Sequence, residues 1–166
     1  MRLTKASFFI PPRSRLEPGI MSNMNIPHFG PKPEGEYKDR PSVYVLVFND
    51  DKVLLLDVHG KYHFPGGGIE KEEAPEEAVV RETFEEAGCK VSNLQFLGKA
   101  SKFFPQTEIG AINKIATFFK AKLISIDPSQ AIEDDHKVCW LSIDDFKKVG
   151  SEWQLWALDI ALKENF

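Results

Sequence analysis

From Ser42 onward the apolar positions follow a strand pattern in some stretches and a helix pattern in others, and the two kinds alternate along the chain. SVYVLVFN and KVLLLDV are β-rich runs, and the polar Asn49, Asp50 and Asp51 between them predict a hairpin with a short turn. Further strands are expected within VSNLQFLGKA, INKIATFFKAKLI and KVCWLSI. A helix is expected from about Pro75 to Ala87, ended by Gly88. Two more should follow, one from around Ser142 and one from about Ser151 to the C-terminus, where Trp153, Trp156 and Ile160 form an apolar stripe. The alternation predicts an α/β fold with a mixed sheet between helices.

The preceding residues read differently. Seven of the 11 prolines fall within residues 11 to 41, together with Gly19, Gly30 and Gly35, so an irregular Pro-rich arm (1–41) is expected ahead of a domain over 42–166. Met21 and Met24 are alternative starts, which would make residues 1–20 an upstream extension. Such an arm is either a loosely held tail or a segment that packs across a dimer partner or a cleft.

The expected helix 75–87 carries the candidate chemistry. Glu82, Glu85 and Glu86 stand at i, i+3 and i+4, which puts three carboxylates on one helical face. At about 100° per residue, with Val80 at zero, Phe84 and Ala87 fall within about 40° and the three glutamates centre near 190°, so an apolar stripe is expected opposite an acidic one. Like charges so close need a cation, and an oxygen-only set suits a hard ion such as Mg²⁺ or Mn²⁺, which also takes phosphate oxygens.

The longer pattern sharpens this. From Gly67 the chain reads GGIEKEEAPEEAVVRETFEEAGC, which places Gly67, Glu73, Arg81, Glu82, Glu85, Glu86 and Gly88 in the order G-x5-E-x7-R-E-x-x-E-E-x-G. It is similar to the signature of the Nudix hydrolases, and the flanking apolar segments extend the resemblance over approximately residues 42–166. Thr83 stands where that family usually has an aliphatic residue, and Ala74 precedes Pro75 where Ser or Thr would cap better.

The resemblance implies an α/β/α sandwich and metal-dependent hydrolysis of a pyrophosphate bond in a nucleoside diphosphate linked to another moiety, such as a nucleotide, a nucleotide sugar like ADP-ribose or a dinucleoside polyphosphate. Glu82, Glu85 and Glu86 are the expected metal ligands, with the carbonyl of Gly67 as a further one, since glycine lets main chain approach closely. Arg81 is expected to orient Glu85 or Glu73 through paired hydrogen bonds. A base must receive a proton, and the resemblance offers Glu82 or an acidic residue on a later loop, where Glu133 is preferred to Glu108 and Asp134. Pro105 follows Cys89 at a spacing that resembles the subgroup acting on ADP-ribose, but a turn after Phe103 and Phe104 is the preferred reading. Tyr44, Tyr62, Phe64 and Phe103 can stack on a base or pack in the core.

Composition narrows the partners. The net charge of −4 is mild, but eight Glu lie between Glu70 and Glu86 against only Lys71 and Arg81, which argues against general nucleic-acid binding by a basic face. A small nucleotide-type substrate is still expected, its phosphates arriving with the metal. No apolar run reaches the length of a membrane span. Cys89 and Cys139 occupy positions expected to be buried, consistent with a reducing cytoplasm. His28, His59, His63 and His136 share no zinc spacing and are expected at the surface or in local hydrogen bonds.

Two other classes stay open. A catalytically silent nucleotide-binding or regulatory module with the same fold would be expected to lack one of Glu82, Glu85 or Glu86. A merely solvated acidic helix would not require Arg81 and two flanking glycines at these spacings.

Overall fold

The computed structural model describes residues 26–32, 34–105, 107, 110–132 and 135–165. Its strands are β1 (His28–Phe29), β2 (Lys38–Asn49), β3 (Lys52–Val58), β4 (Lys61–His63), β5 (Cys89–Phe104), β6 (Ile112–Ile126) and β7 (Lys137–Ser142). The helices are α1 (Pro75–Ala87), α2 (Ile143–Val149) and α3 (Glu152–Lys163). Among the described residues, seven strands form one sheet in the order β1-β5-β6-β2-β3-β4, and β7 also pairs with β3. It is mixed: β1/β5 and β2/β6 are parallel, and the remaining pairs are antiparallel.

The period-two pattern of β2 and β3 divides the interior in two. Val43, Val45, Val47, Leu54 and Leu56 pack with Ala78, Val79 and Ala87 of α1. Tyr44, Leu46, Val53 and Leu55 face the other way, onto Phe146 of α2 and Trp153, Ala157, Leu158 and Ala161 of α3. Helices thus cover both faces of the sheet, the expected α/β/α sandwich. Tyr44 and Phe64 belong to the second core, and Tyr62 packs against it.

The β2–β3 turn is tighter than Asn49-Asp50-Asp51: Asn49 pairs with Lys52, leaving Asp50 and Asp51 as the turn, with Asp50 at φ 53°. Strand residues also occur before Ser42. His28 and Phe29 pair with Ser101 and Lys102, and β2 begins at Lys38. Residues 1–25, including the expected upstream extension, lie outside the described residues.

Helix α1 has the expected bounds, but its buried face differs. Ala78, Val79, Thr83, Glu86 and Ala87 are buried, while Val80 is 39% exposed. The buried face is therefore turned by about one residue, or 100°, and overlaps the acidic one instead of opposing it. Thr83 is accommodated because its hydroxyl donates to the Val79 carbonyl one turn back. Ala74 has no capping side chain, and Glu77 compensates from inside, its Oε2 accepting the Ala74 N–H at 3.0 Å. Cys89 is buried, which pushes its thiol up to about 11, whereas Cys139 on β7 is only partly buried.

Candidate active site

β2 keeps β3 only at the turn, so most of its second edge is free for another segment. The Pro65–Ile69 loop takes that edge. Val43 N donates to Gly67 O and Val45 N to Pro65 O, both at 2.9 Å, and Ile69 N donates to Pro41 O at 3.2 Å. The fit demands glycine at 66, where φ is 145° and an added Cβ would run into the Val43 carbonyl and lie 2.7 Å from Tyr44 Cα. The loop is thereby laid beside α1, whose packing on Val43 and Val45 fixes the opposite wall.

Arg81 spends all its donors between the two walls. Its Nε and Nη2 hold Glu73, each at 2.8 Å; Nη1 reaches Glu82 Oε1 at 2.9 Å and Glu85 Oε2 at 3.0 Å; Nη2 also donates to Gly68 O at 3.1 Å. The expected pairing with Glu73 is present, and Glu85 is held singly. These bonds raise the guanidinium pKa above its ordinary value, led by Glu73, and hold the Glu73 carboxyl below the usual range.

The glutamates are fixed by different partners. Glu82 packs on Gly67, where an added Cβ would lie 2.6 Å from its Cδ. Glu86 is buried; its Oε2 accepts the Gly66 N–H at 2.7 Å and its Oε1 lies 3.6 Å from His136 Nδ1, an ion pair when the ring is protonated. The Gly67 carbonyl has one lone pair engaged by Val43 N–H and keeps a second. Among the described residues, no three His, Cys, Asp or Glu side chains stand grouped to hold a metal ion as they are. Glu82 and Glu85 are turned onto Arg81, and Glu86 onto Gly66. As a donor set of hard oxygens beside a second carbonyl lone pair, they still fit a divalent cation such as Mg²⁺.

Glu133, Glu108 and Asp134 lie outside the described residues. The residues flanking Glu133 are held to α1, since Ile132 N donates to Glu85 O at 2.7 Å and His136 meets Glu86. His136 was expected only in a local or surface role; its place beside Glu86 depends on the β3–β7 pairing and has no signal in local spacing. Arg40 is a second residue missed. It lines a cleft of 370 Å³ with Asp39, Pro41, Gly68, Ile69, Glu70 and Glu82. A smaller cavity of 220 Å³ lies on the Glu86 side, with Tyr44, His63, Phe64 and His136 among its walls. Among the described residues, no helix is long and apolar enough to cross a membrane.

Known proteins resemble this chain in sequence and in fold. A NAD-capped RNA hydrolase NudC of Pseudomonas aeruginosa is 34% identical over 111 residues, covering 63% of this chain and 36% of that protein. A NudC of Escherichia coli is 31% identical over 109 residues, covering 63% of this chain and 40% of that protein. The chain thus matches well under half the length of these relatives. In fold it resembles a NUDIX hydrolase from Nitrosomonas europaea, with TM-score 0.63 and 21% identity over 74% of this chain and 88% of that one. It also resembles a MutT NUDIX hydrolase from Burkholderia pseudomallei, with TM-score 0.60 and 23% identity over 74% of this chain and 97% of the other. The family model described as NUDIX domain matches residues 38–159, and on that match, which takes in both walls of the site, the chain belongs to the Nudix family.

Proposed function

We propose that the chain is a pyrophosphohydrolase that cuts a nucleoside diphosphate linked to another moiety, with Mg²⁺ or Mn²⁺ as cofactor. The observation that carries this reading is the gathering of Glu82, Glu85 and Glu86 on α1, with Glu82 and Glu86 against the Gly66–Gly68 loop and Arg81 tying loop to helix. A divalent ion bound there would neutralise phosphate oxygens and lower the pKa of water. Glu82, Glu85 and Glu86 would hold it, with the Gly67 carbonyl as a further ligand.

The remaining work belongs to the chain. Arg81 keeps Glu82 and Glu85 from swinging away and is itself locked by Glu73. The Gly66 N–H fixes one oxygen of Glu86, and His136 stands 3.6 Å from the other. The proton released by the attacking water goes to Glu82 or to Glu133. That the relatives bear the name NAD-capped RNA hydrolase supports testing NAD-type pyrophosphates beside ADP-ribose and dinucleoside polyphosphates.

The test is a panel of ADP-ribose, NAD, a dinucleoside tetraphosphate, a nucleoside triphosphate and NAD-capped RNA, each with and without Mg²⁺ or Mn²⁺. Metal-dependent release of a nucleoside monophosphate from one of them is expected. Saturable binding of the panel without turnover in either metal would instead mark a catalytically silent module.

A further inference from the structure

On the α3 side of the sheet, three cations stand in one row. The registers place Arg40 of β2 beside Lys114 of β6, and Lys114 beside Lys102 of β5. They share a face: the Nζ of Lys102 and of Lys114 lie 5.6 and 5.1 Å from the centroid of the Phe104 ring. Lys102 is also 5.8 Å from the Trp153 ring, and Lys114 donates to the Tyr44 hydroxyl at 3.0 Å. Arg40 precedes Tyr44 at the same parity of β2, with its guanidinium beside Gly68.

Such a row is costly. Side chains directly opposite on neighbouring strands lie about 5 Å apart at Cβ, and like charges there repel. Although the chain carries 25 Asp and Glu, none of these three cations is ion-paired with a carboxylate among the described residues. Burial, and then Arg40, hold the Lys114 ammonium below its ordinary pKa, with Glu86 opposing. Aromatic rings soften the repulsion without neutralising it.

The position of the row identifies what would. Arg40 lines the cleft that contains Gly68 and Glu82, so the row begins at the carboxylate site and leads away from it. Two interstrand spacings, about 10 Å, separate β2 from β5, enough for a phosphate beyond those joined by the bond being cut. We propose that Arg40, Lys114 and Lys102 form an anion subsite for an additional phosphate of the substrate, which makes the preferred substrate class a nucleotide phosphorylated outside its scissile pyrophosphate. This rests on the pyrophosphohydrolase reading.

The experiment is calorimetric titration of the full chain in EDTA with adenosine 3′,5′-bisphosphate, which has two phosphates and no pyrophosphate bond, and with adenosine. The bisphosphate should bind saturably and the nucleoside at least about tenfold more weakly. Lys114→Gln and Lys102→Gln should each weaken the bisphosphate about tenfold or more, the scale of one charge-assisted hydrogen bond. The melting temperature of each free variant should be unchanged or higher, since a repulsion is removed. If Lys114→Gln does not fold, Lys102→Gln decides alone. Equal binding of bisphosphate and adenosine, or wild-type affinity in the folded variants, overturns the subsite. Because no turnover is involved, that failure is distinct from failure of the hydrolase reading, which would show as absent metal-dependent cleavage.

Discussion

Arg81 and Glu73 meet through two parallel hydrogen bonds, Nε to Oε1 and Nη2 to Oε2, both 2.8 Å long. Glu73 lies just before α1 and Arg81 in its middle, so the pair closes the loop onto the helix. The Glu73 carboxyl is held below its ordinary pKa chiefly by those bonds. A depressed folded-state pKa contributes stability above the unfolded value, and that contribution is lost as pH falls through the folded one. Unfolding free energy measured from about pH 6 to about pH 2 should therefore fall more steeply in the wild type than in Glu73→Gln, the two curves converging in acid. Curves that stay parallel over this range would show that the pair is energetically idle.

Removing charge at the proposed metal face should cost turnover without costing the fold. Glu85→Gln or Glu86→Gln is expected to lower kcat by on the order of 10³, roughly 4 kcal/mol of transition-state stabilisation. The amide of Glu86→Gln can still accept the Gly66 N–H, so circular dichroism and melting temperature should stay near wild type. Near-normal kcat in either folded variant at saturating Mg²⁺ would remove these residues from the metal site.

Adjacent glycines should fail in opposite ways. At Gly66 an added methyl meets β2 backbone at positive φ, so Gly66→Ala should destabilise by about 3 kcal/mol, or roughly 6–12 °C in melting temperature. At Gly67 the obstacle is the end of the Glu82 side chain, which can move. Gly67→Ala should therefore keep the fold while displacing Glu82 and lowering kcat by about 10²-fold. Equal melting curves for the two variants would contradict this division.

Holding a metal and taking a proton can be separated at Glu133. Glu133→Gln should reduce kcat by about 10²-fold while the Mg²⁺ dependence stays close to wild type, whereas Glu82→Gln should disturb both. Unchanged kcat in Glu133→Gln across the pH range would return the base to Glu82.

The limits of α1 were legible because Pro75 and Gly88 bracket an unbroken helical run. Which way it faces was not. Ala78, Val79 and Val80 are consecutive and apolar, so a helical wheel admits more than one core stripe. Val79 wins by joining the core that holds Val43 and Val45 of β2, which no local period records. Burial of Glu86 was hidden for a related reason: the groups that make it tolerable, Gly66 N–H and His136, come from distant segments. The carboxylates and Arg81 could be found because one helix repeats them at short spacing. The row of Arg40, Lys114 and Lys102 exists only once β2, β6 and β5 are paired.

The segment laid along β2 has a consequence for how the protein comes apart. Val43 and Val45 sit at the centre of the sheet, yet their amides are bonded to Pro65 and Gly67 of the site loop. The loop cannot open without exposing those amides, so reshaping of this wall of the candidate site and fraying of the central strand are one event. Deuterium uptake at Val43 and Val45 would therefore time the opening of the site, and ligands that grip the loop would slow exchange in the heart of the sheet.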